Sequence, residues 1–263
     1  MTGGPDSVSL SADGAAIHGV WWRPKQDGQP TLVFLHDGLG SVESLRGFPA
    51  DVAEAAALPA FGYDRWGYGR SAARPHLPAG LMEDCAARMP RILAAAGIAD
   101  HIVIGHSDGG TIALLHAAAN PSGLLGAVSI AAHVQEDSAS HFQLDRHGAM
   151  ARAGECPDWL VRFQGEKTRA VALMSEWVRV WQESFAAGWT LRDVLPRIRC
   201  PLLALHGAED DYGEVGQLKT IARAVPRAKT RILDGLGHFP HLDDPADVTA
   251  RVAAFVTRCV ERG

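Results

Sequence analysis

Apolar and polar positions alternate in two ways along this chain. Near the N-terminus, 8–10 and 16–22 alternate with period two around the turn-forming pair Asp13-Gly14, which predicts two paired, half-buried strands. Further on come short runs that are apolar throughout. The run T-L-V-F-L at 31–35 is bounded by Gly28, Pro30 and Gly38, and such runs suit strands covered on both faces of a parallel sheet. Segments 60–63, 101–104, 125–131, 202–205 and 230–233 read the same way, the first of them on a weaker signal. Helices are predicted between them at 49–57, 81–96, 110–119, 215–224 and 246–260. Gly97 and Asn120-Pro121 serve as stops, and Pro90 is an expected kink.

Strand and helix thus take turns. This predicts an α/β fold with a mostly parallel, doubly wound central sheet flanked by helices. The rhythm fails between 133 and 199. One helix is clear there, from Met174, Trp177, Val178, Trp181 and Phe185 at helical spacing. The expected organisation is a core domain of 1–132 and 200–263 with a helical cap insertion at 133–199, which packs on the core and in part roofs a pocket.

Composition narrows the function. In 263 residues, 47% are hydrophobic, enough for a large buried core, and the formal charge is −5 without a basic run, which argues against nucleic acid as a partner. The opening M-T-G-G-P-D-S-V has no basic or apolar leader region and no apolar run is long enough to span a bilayer, so the expected setting is cytoplasmic, with no stable membrane anchor. Cys85, Cys156, Cys200 and Cys259 are widely spaced and read as thiols, mostly buried. His133, His141 and His147 lack ligand-like spacing and read as surface or cap residues; no metal or organic cofactor is indicated.

The candidate chemistry starts at G-H-S-D-G, 105–109. It matches G-x-S-x-G in the required setting, a strand before and a helix after. Glycines on both sides let the backbone turn sharply enough to expose the Ser107 hydroxyl. A serine needs a base, and of the 12 histidines His238, in G-L-G-H-F-P-H just after the strand at 230–233, is the leading candidate, with His241 its neighbour and rival. Two acids compete to orient that base. Asp210 follows the strand at 202–205 in H-G-A-E-D-D; Asp137 follows the strand at 125–131. Asp210 is favoured, because it gives the chain order Ser, Asp, His.

These motifs, with F-L-H-D-G-L-G-S at 34–41 and D-R-W-G-Y-G-R-S at 64–71, resemble the α/β-hydrolase superfamily, of the esterase and lactonase-like kind. The resemblance implies Ser107 as nucleophile, His238 as base and Asp210 as acid. The backbone N–H groups of Gly38 and Asp108 are the implied oxyanion donors. It implies cleavage of a small carboxylic ester or related acyl compound. Same-fold carbon–carbon bond hydrolysis, acyl transfer, cofactor-free lyase chemistry and a non-catalytic ligand-binding role stay open. Family members often read His-Gly-x-x-Gly where this chain has Asp37 in second position. A carboxylate there would oppose an oxyanion, so its side chain is expected to turn away and bond backbone N–H groups of its loop. Trp159, Met174, Trp177 and Trp181 are candidate pocket residues, and a lipid-facing stripe of Trp177, Trp181 and Phe185 is a lesser option. Trp66 fits a pocket wall and a core position equally.

Overall fold

A computed structural model describes residues 5–261. Part of the N-terminal leader reading falls on residues 1–4, and the end of the expected core domain on 262–263, which lie outside the described residues.

The chain forms β1 (Asp6–Ala12), β2 (Ala15–Arg23), β3 (Thr31–Leu35), α1 (Phe48–Ala56), β4 (Ala60–Tyr63), α2 (Leu81–Ala95), β5 (His101–His106), α3 (Asp108–Ala119) and β6 (Leu124–Ile130). Then come α4 (Ser138–Arg152), α5 (Asp158–Gln164), α6 (Lys167–Ala186), β7 (Leu202–Gly207), α7 (Gly216–Ala224), β8 (Lys229–Leu233), α8 (Pro240–Asp243) and α9 (Pro245–Val260). Eight strands form one sheet in the order β1-β2-β4-β3-β5-β6-β7-β8. β1 and β2 pair antiparallel, β2 meets β4 antiparallel, and the remaining pairings are parallel.

The central apolar runs become strands because both of their faces are covered, whereas β8 at the sheet edge is mostly exposed. Along β3, Val33 and Leu35 join one core while Leu32 and Phe34 join the other; β5 splits the same way, Val103 against Ile102 and Ile104. The first core packs under α2, α3 and the three helices of the 133–199 segment, the second under α1 and α9. Burying one such side chain stabilises by about 1.5–3 kcal/mol. These central strands therefore fix the register that places everything at their C-terminal ends.

Two elements differ from expectation. α3 starts at Asp108, two residues earlier than its pattern suggests, directly after Ser107. The 133–199 segment carries α4 and α5 as well as the anticipated α6. Pro90 lies within α2. Trp177, Trp181 and Phe185 on α6 are buried, which removes the lipid-facing option. Among the described residues no helix is long and apolar enough to cross a membrane.

Candidate active site

Adjacent parallel strands end together: Leu35 pairs with Gly105, His106 with Ile130, Ile130 with Leu205, and Gly207 with Leu233. Ser107, Asp210 and His238 each lie a few residues beyond a strand end, on one rim of the sheet, where open α/β sheets hold their ligands. Ala208 N–H donates to Leu233 O at 2.9 Å and Glu209 N–H to Leu236 O at 2.9 Å, which draws the two loops together.

Ser107 sits between β5 and α3 with φ 55° and ψ −120°, a conformation unusual for a side-chain-bearing residue. Its N–H donates to Ile130 O at 2.8 Å. The turn needs glycine on both sides. A Cβ on Gly105 would lie 2.0 Å from Gly109 O, and one on Gly109 would lie 2.3 Å from Leu35 O. Backbone crossing backbone at that range leaves no room for a methyl group.

The three predicted side chains meet. His238 Nε2 is 3.0 Å from Ser107 Oγ, and His238 Nδ1 is 2.9 Å from both carboxylate oxygens of Asp210. Asp210 Oδ1 also accepts the N–H groups of Tyr212 at 2.8 Å and Gly213 at 3.0 Å. Burial alone would raise the Asp210 carboxyl. The bond and charge of His238, then the charge of His206 and the Tyr212 N–H, outweigh it and hold the group well below the usual carboxylate range. Asp137, the rival acid, is engaged elsewhere. It caps α4 through Ser140 N–H at 2.8 Å, and its other oxygen takes Glu214 N–H at 2.8 Å and Gln217 Nε2 at 2.6 Å.

His106 supports His238 from behind. Its Nε2 donates to His238 O at 2.7 Å, and burial, then the nearby His238, lowers its pKa to about 4, so the ring stays neutral with its proton on that nitrogen. His241, the rival histidine, packs against His106 with ring centroids 4.6 Å apart. The Tyr212 ring stacks on His238 at 4.5 Å and 22°.

Asp37 lines the cavity beside Ser107, and its carboxylate takes the Ser44 hydroxyl at 2.6 Å in place of the expected backbone N–H groups. Burial opposes its ionisation, but the neighbouring His106 ring and the Ser44 bond prevail and lower its pKa. Arg65, which the sequence did not single out, is fully buried behind it. Arg65 Nη2 donates to Asp37 O at 2.6 Å, Nη1 lies 3.6 Å from Asp108 Oδ2, and the guanidinium stands 4.2 Å over the Tyr68 ring. Burial raises the Asp108 carboxyl, with Arg65 as the main opposing charge.

The insertion reaches this same region. Trp177 Nε1 donates to Asp108 Oδ2 at 3.1 Å, and its indole packs so close to Gly38 that a Cβ there would be 2.5 Å away. Gln164, also unanticipated, is buried. Its amide nitrogen donates to Leu39 O at 3.1 Å and Gly40 O at 3.2 Å, and its oxygen accepts Gly69 N–H at 2.8 Å. Both segments that carry the predicted oxyanion donors are therefore pinned by side chains of α5 and α6.

A cavity of about 520 Å³ opens beside Ser107 and His238. Trp159, Trp177 and Trp181 line it as expected. Met174 does not: it is fully buried, one helical turn before Trp177, in the packing of α6. His133 belongs with the site and not with the surface, since it is buried and lines the cavity; His147 is buried too. Trp66 lies outside it, with Arg74 at 4.5 Å and Arg88 at 4.9 Å over its ring. No group of three or more His, Cys, Asp or Glu among the described residues is placed to hold a metal ion.

A model of the alpha/beta hydrolase family matches residues 32–252. The chain belongs to the alpha/beta hydrolase family. Among relatives of this hydrolase, a 2-succinyl-6-hydroxy-2,4-cyclohexadiene-1-carboxylate synthase from Enterobacter sp. (strain 638) is 26% identical over 88% of the chain and 93% of its own length. An sn-1-specific diacylglycerol lipase from Mus musculus is 24% identical over 86% of the chain and 81% of its own length. The enol-lactonase from Burkholderia xenovorans LB400 superposes with a TM-score of 0.75 at 17% identity, covering 95% of this chain and 100% of that one, a likeness of fold.

Proposed function

We propose that this hydrolase cleaves a small carboxylic ester or related acyl substrate through a Ser107–His238–Asp210 triad and an acyl-enzyme intermediate. The observation that carries the reading is His238 spanning the two partners, 3.0 Å from Ser107 Oγ and 2.9 Å from Asp210. In the proposed sequence Ser107 Oγ attacks the acyl carbon and its proton passes to His238 Nε2. Asp210 accepts a hydrogen bond from Nδ1–H throughout, fixing the tautomer and steadying the imidazolium. The N–H groups of Gly38 and Asp108 stabilise the oxyanion, the latter aided by the start of α3. His238 then protonates the leaving alcohol. A water, deprotonated by the same imidazole, attacks the acyl-enzyme and releases the acid. The 133–199 segment acts as the cap that shapes the acyl pocket. The reading keeps the expectations of a cytoplasmic setting and no metal or organic cofactor.

A panel of p-nitrophenyl esters and lactones tests it: turnover by the wild type and its loss in a folded Ser107→Ala variant are expected. Unchanged turnover in Ser107→Ala would refute the nucleophile. The 26% identical synthase supports a second reading, cofactor-free lyase chemistry on the same residues. Against a carboxylate-bearing substrate stands the cavity wall, where the described lining residues include Asp37 but no Lys or Arg. Product analysis separates the two readings.

A further inference from the structure

The cavity beside Ser107 is mostly apolar, yet three of its lining residues carry a buried polar atom with no hydrogen-bond partner among the described residues: His133 Nδ1, Gln143 Oε1 and Trp181 Nε1. These residues are 8%, 2% and 4% exposed. Folded proteins leave few buried donors or acceptors unmet, because each carries its full desolvation cost. Three around one cavity call for an explanation in what the cavity binds.

Chemistry fixes the role of each atom. His133 Nε2 lies 3.0 Å from Tyr212 O. A carbonyl only accepts, so the ring proton sits on Nε2 and Nδ1 is a bare acceptor. The Gln143 amide nitrogen lies 3.1 Å from Asp211 O and 3.0 Å from Asp211 Oδ2. Both of those atoms accept, so the amide orientation is determined and Oε1 is the unmet atom. The Trp181 indole N–H only donates. The set is two acceptors and one donor.

A plain hydrocarbon acyl chain satisfies none of them. An ether or ketone oxygen would meet only Trp181, and an ammonium only the acceptors. A hydroxyl both donates and accepts, so one group can meet Trp181 and an acceptor together. The His133 ring centroid is 5.8 Å from that of Trp181 and 6.1 Å from that of His238, whose imidazole meets Ser107, and Gln143 lines the same cavity. We infer that the pocket selects acyl substrates that carry a hydroxyl on the acyl chain near the scissile carbonyl, held by the Trp181 N–H and by His133 Nδ1 or Gln143 Oε1. This deepens the proposed hydrolase reading and rests on it.

The test compares p-nitrophenyl 3-hydroxybutyrate with p-nitrophenyl butyrate. The wild type is expected to show kcat/KM about tenfold or more higher for the hydroxylated ester. In Trp181→Phe and His133→Phe the ratio of the two substrates should fall toward one, and a ratio cancels any loss common to both. A second arm measures calorimetric binding of the same two esters to Ser107→Ala, where tighter binding of the hydroxylated one is expected. Equal handling of the two esters by the wild type, or a preference unchanged in both variants, would overturn the inference. Fluorophosphonate labelling of wild-type Ser107 keeps the two readings apart. Labelling and ester cleavage without hydroxyl preference sinks only the inference. No labelling, with the hydroxylated ester still bound more tightly by Ser107→Ala, sinks the hydrolase reading and leaves the pocket chemistry standing.

Discussion

Replacing Ser107 by glycine should make the protein more stable than replacing it by alanine. Both changes remove the hydroxyl and its 3.0 Å bond to His238, so that loss cancels in the comparison. What differs is the backbone. At φ 55° and ψ −120° a residue with a Cβ is strained, and a glycine is not. Such strain is worth about 1–3 kcal/mol. Glycine gives back about 0.5–1 kcal/mol through its freer unfolded chain. Ser107 also occupies the N-cap position of α3, where glycine is better tolerated than alanine, an effect of the same sign. The net expectation is about 1 kcal/mol in favour of Ser107→Gly, or roughly 2–4 °C in Tm for a chain of this size. Thermal unfolding followed by circular dichroism reads it directly. Both variants should lose p-nitrophenyl butyrate hydrolysis by a factor on the order of 10⁶. A Ser107→Ala variant as stable as Ser107→Gly, or more so, would refute the claim that this turn stores strain to expose its serine.

Other outcomes follow from the same geometry. Asp210→Asn should lower kcat by about 10⁴, whereas Asp137→Ala should keep kcat within a few-fold and cost about 1–3 kcal/mol in denaturant melts, since Asp137 caps α4 and ties it to α7. Burial holds His36 and His106 at about 4 and His116 at about 3, below the ordinary 6.5. The unfolded chain therefore takes up protons below about pH 6.5 that the folded chain refuses, and stability should fall as pH drops from there toward 4, by about 1.4 kcal/mol per pH unit for each such histidine. Urea titrations across pH 4–7 check this, and a flat profile would contradict it. Trp177→Phe removes the N–H that meets buried Asp108; it should cost about 1–3 kcal/mol and lower kcat by less than the 10²–10³ of losing an oxyanion donor outright.

The central strands could be read from the chain because they are covered on both faces. Continuous runs such as T-L-V-F-L leave little alternative, and the glycines of 105–109 mark a turn that the backbone contacts then require. The insertion could not be read as well. The buried side of α4 is Ser140, Gln143, Leu144, His147 and Gly148, so it has no apolar stripe to betray it, and α5 is only seven residues long. α6 does carry a stripe, but a stripe names a face and not its targets, so Met174 reads like Trp177 although only the latter reaches the cavity. Arg65 and Gln164 act through carbonyls distant in sequence, Asp37 from the one and Leu39 and Gly40 from the other. No local pattern signals partners of that kind. His133 is hidden for a related reason: no local pattern marks it as a pocket residue, and its position beside His238 depends on β6 ending where it does.

Mass spectrometry of the protein after exposure to a fluorophosphonate probes the central claim most directly. An activated serine takes up one phosphonyl group, and here the adduct is expected on Ser107 in the wild type and is expected to vanish in His238→Asn. A wild-type protein left unmodified, or equal labelling with the imidazole removed, would contradict the account.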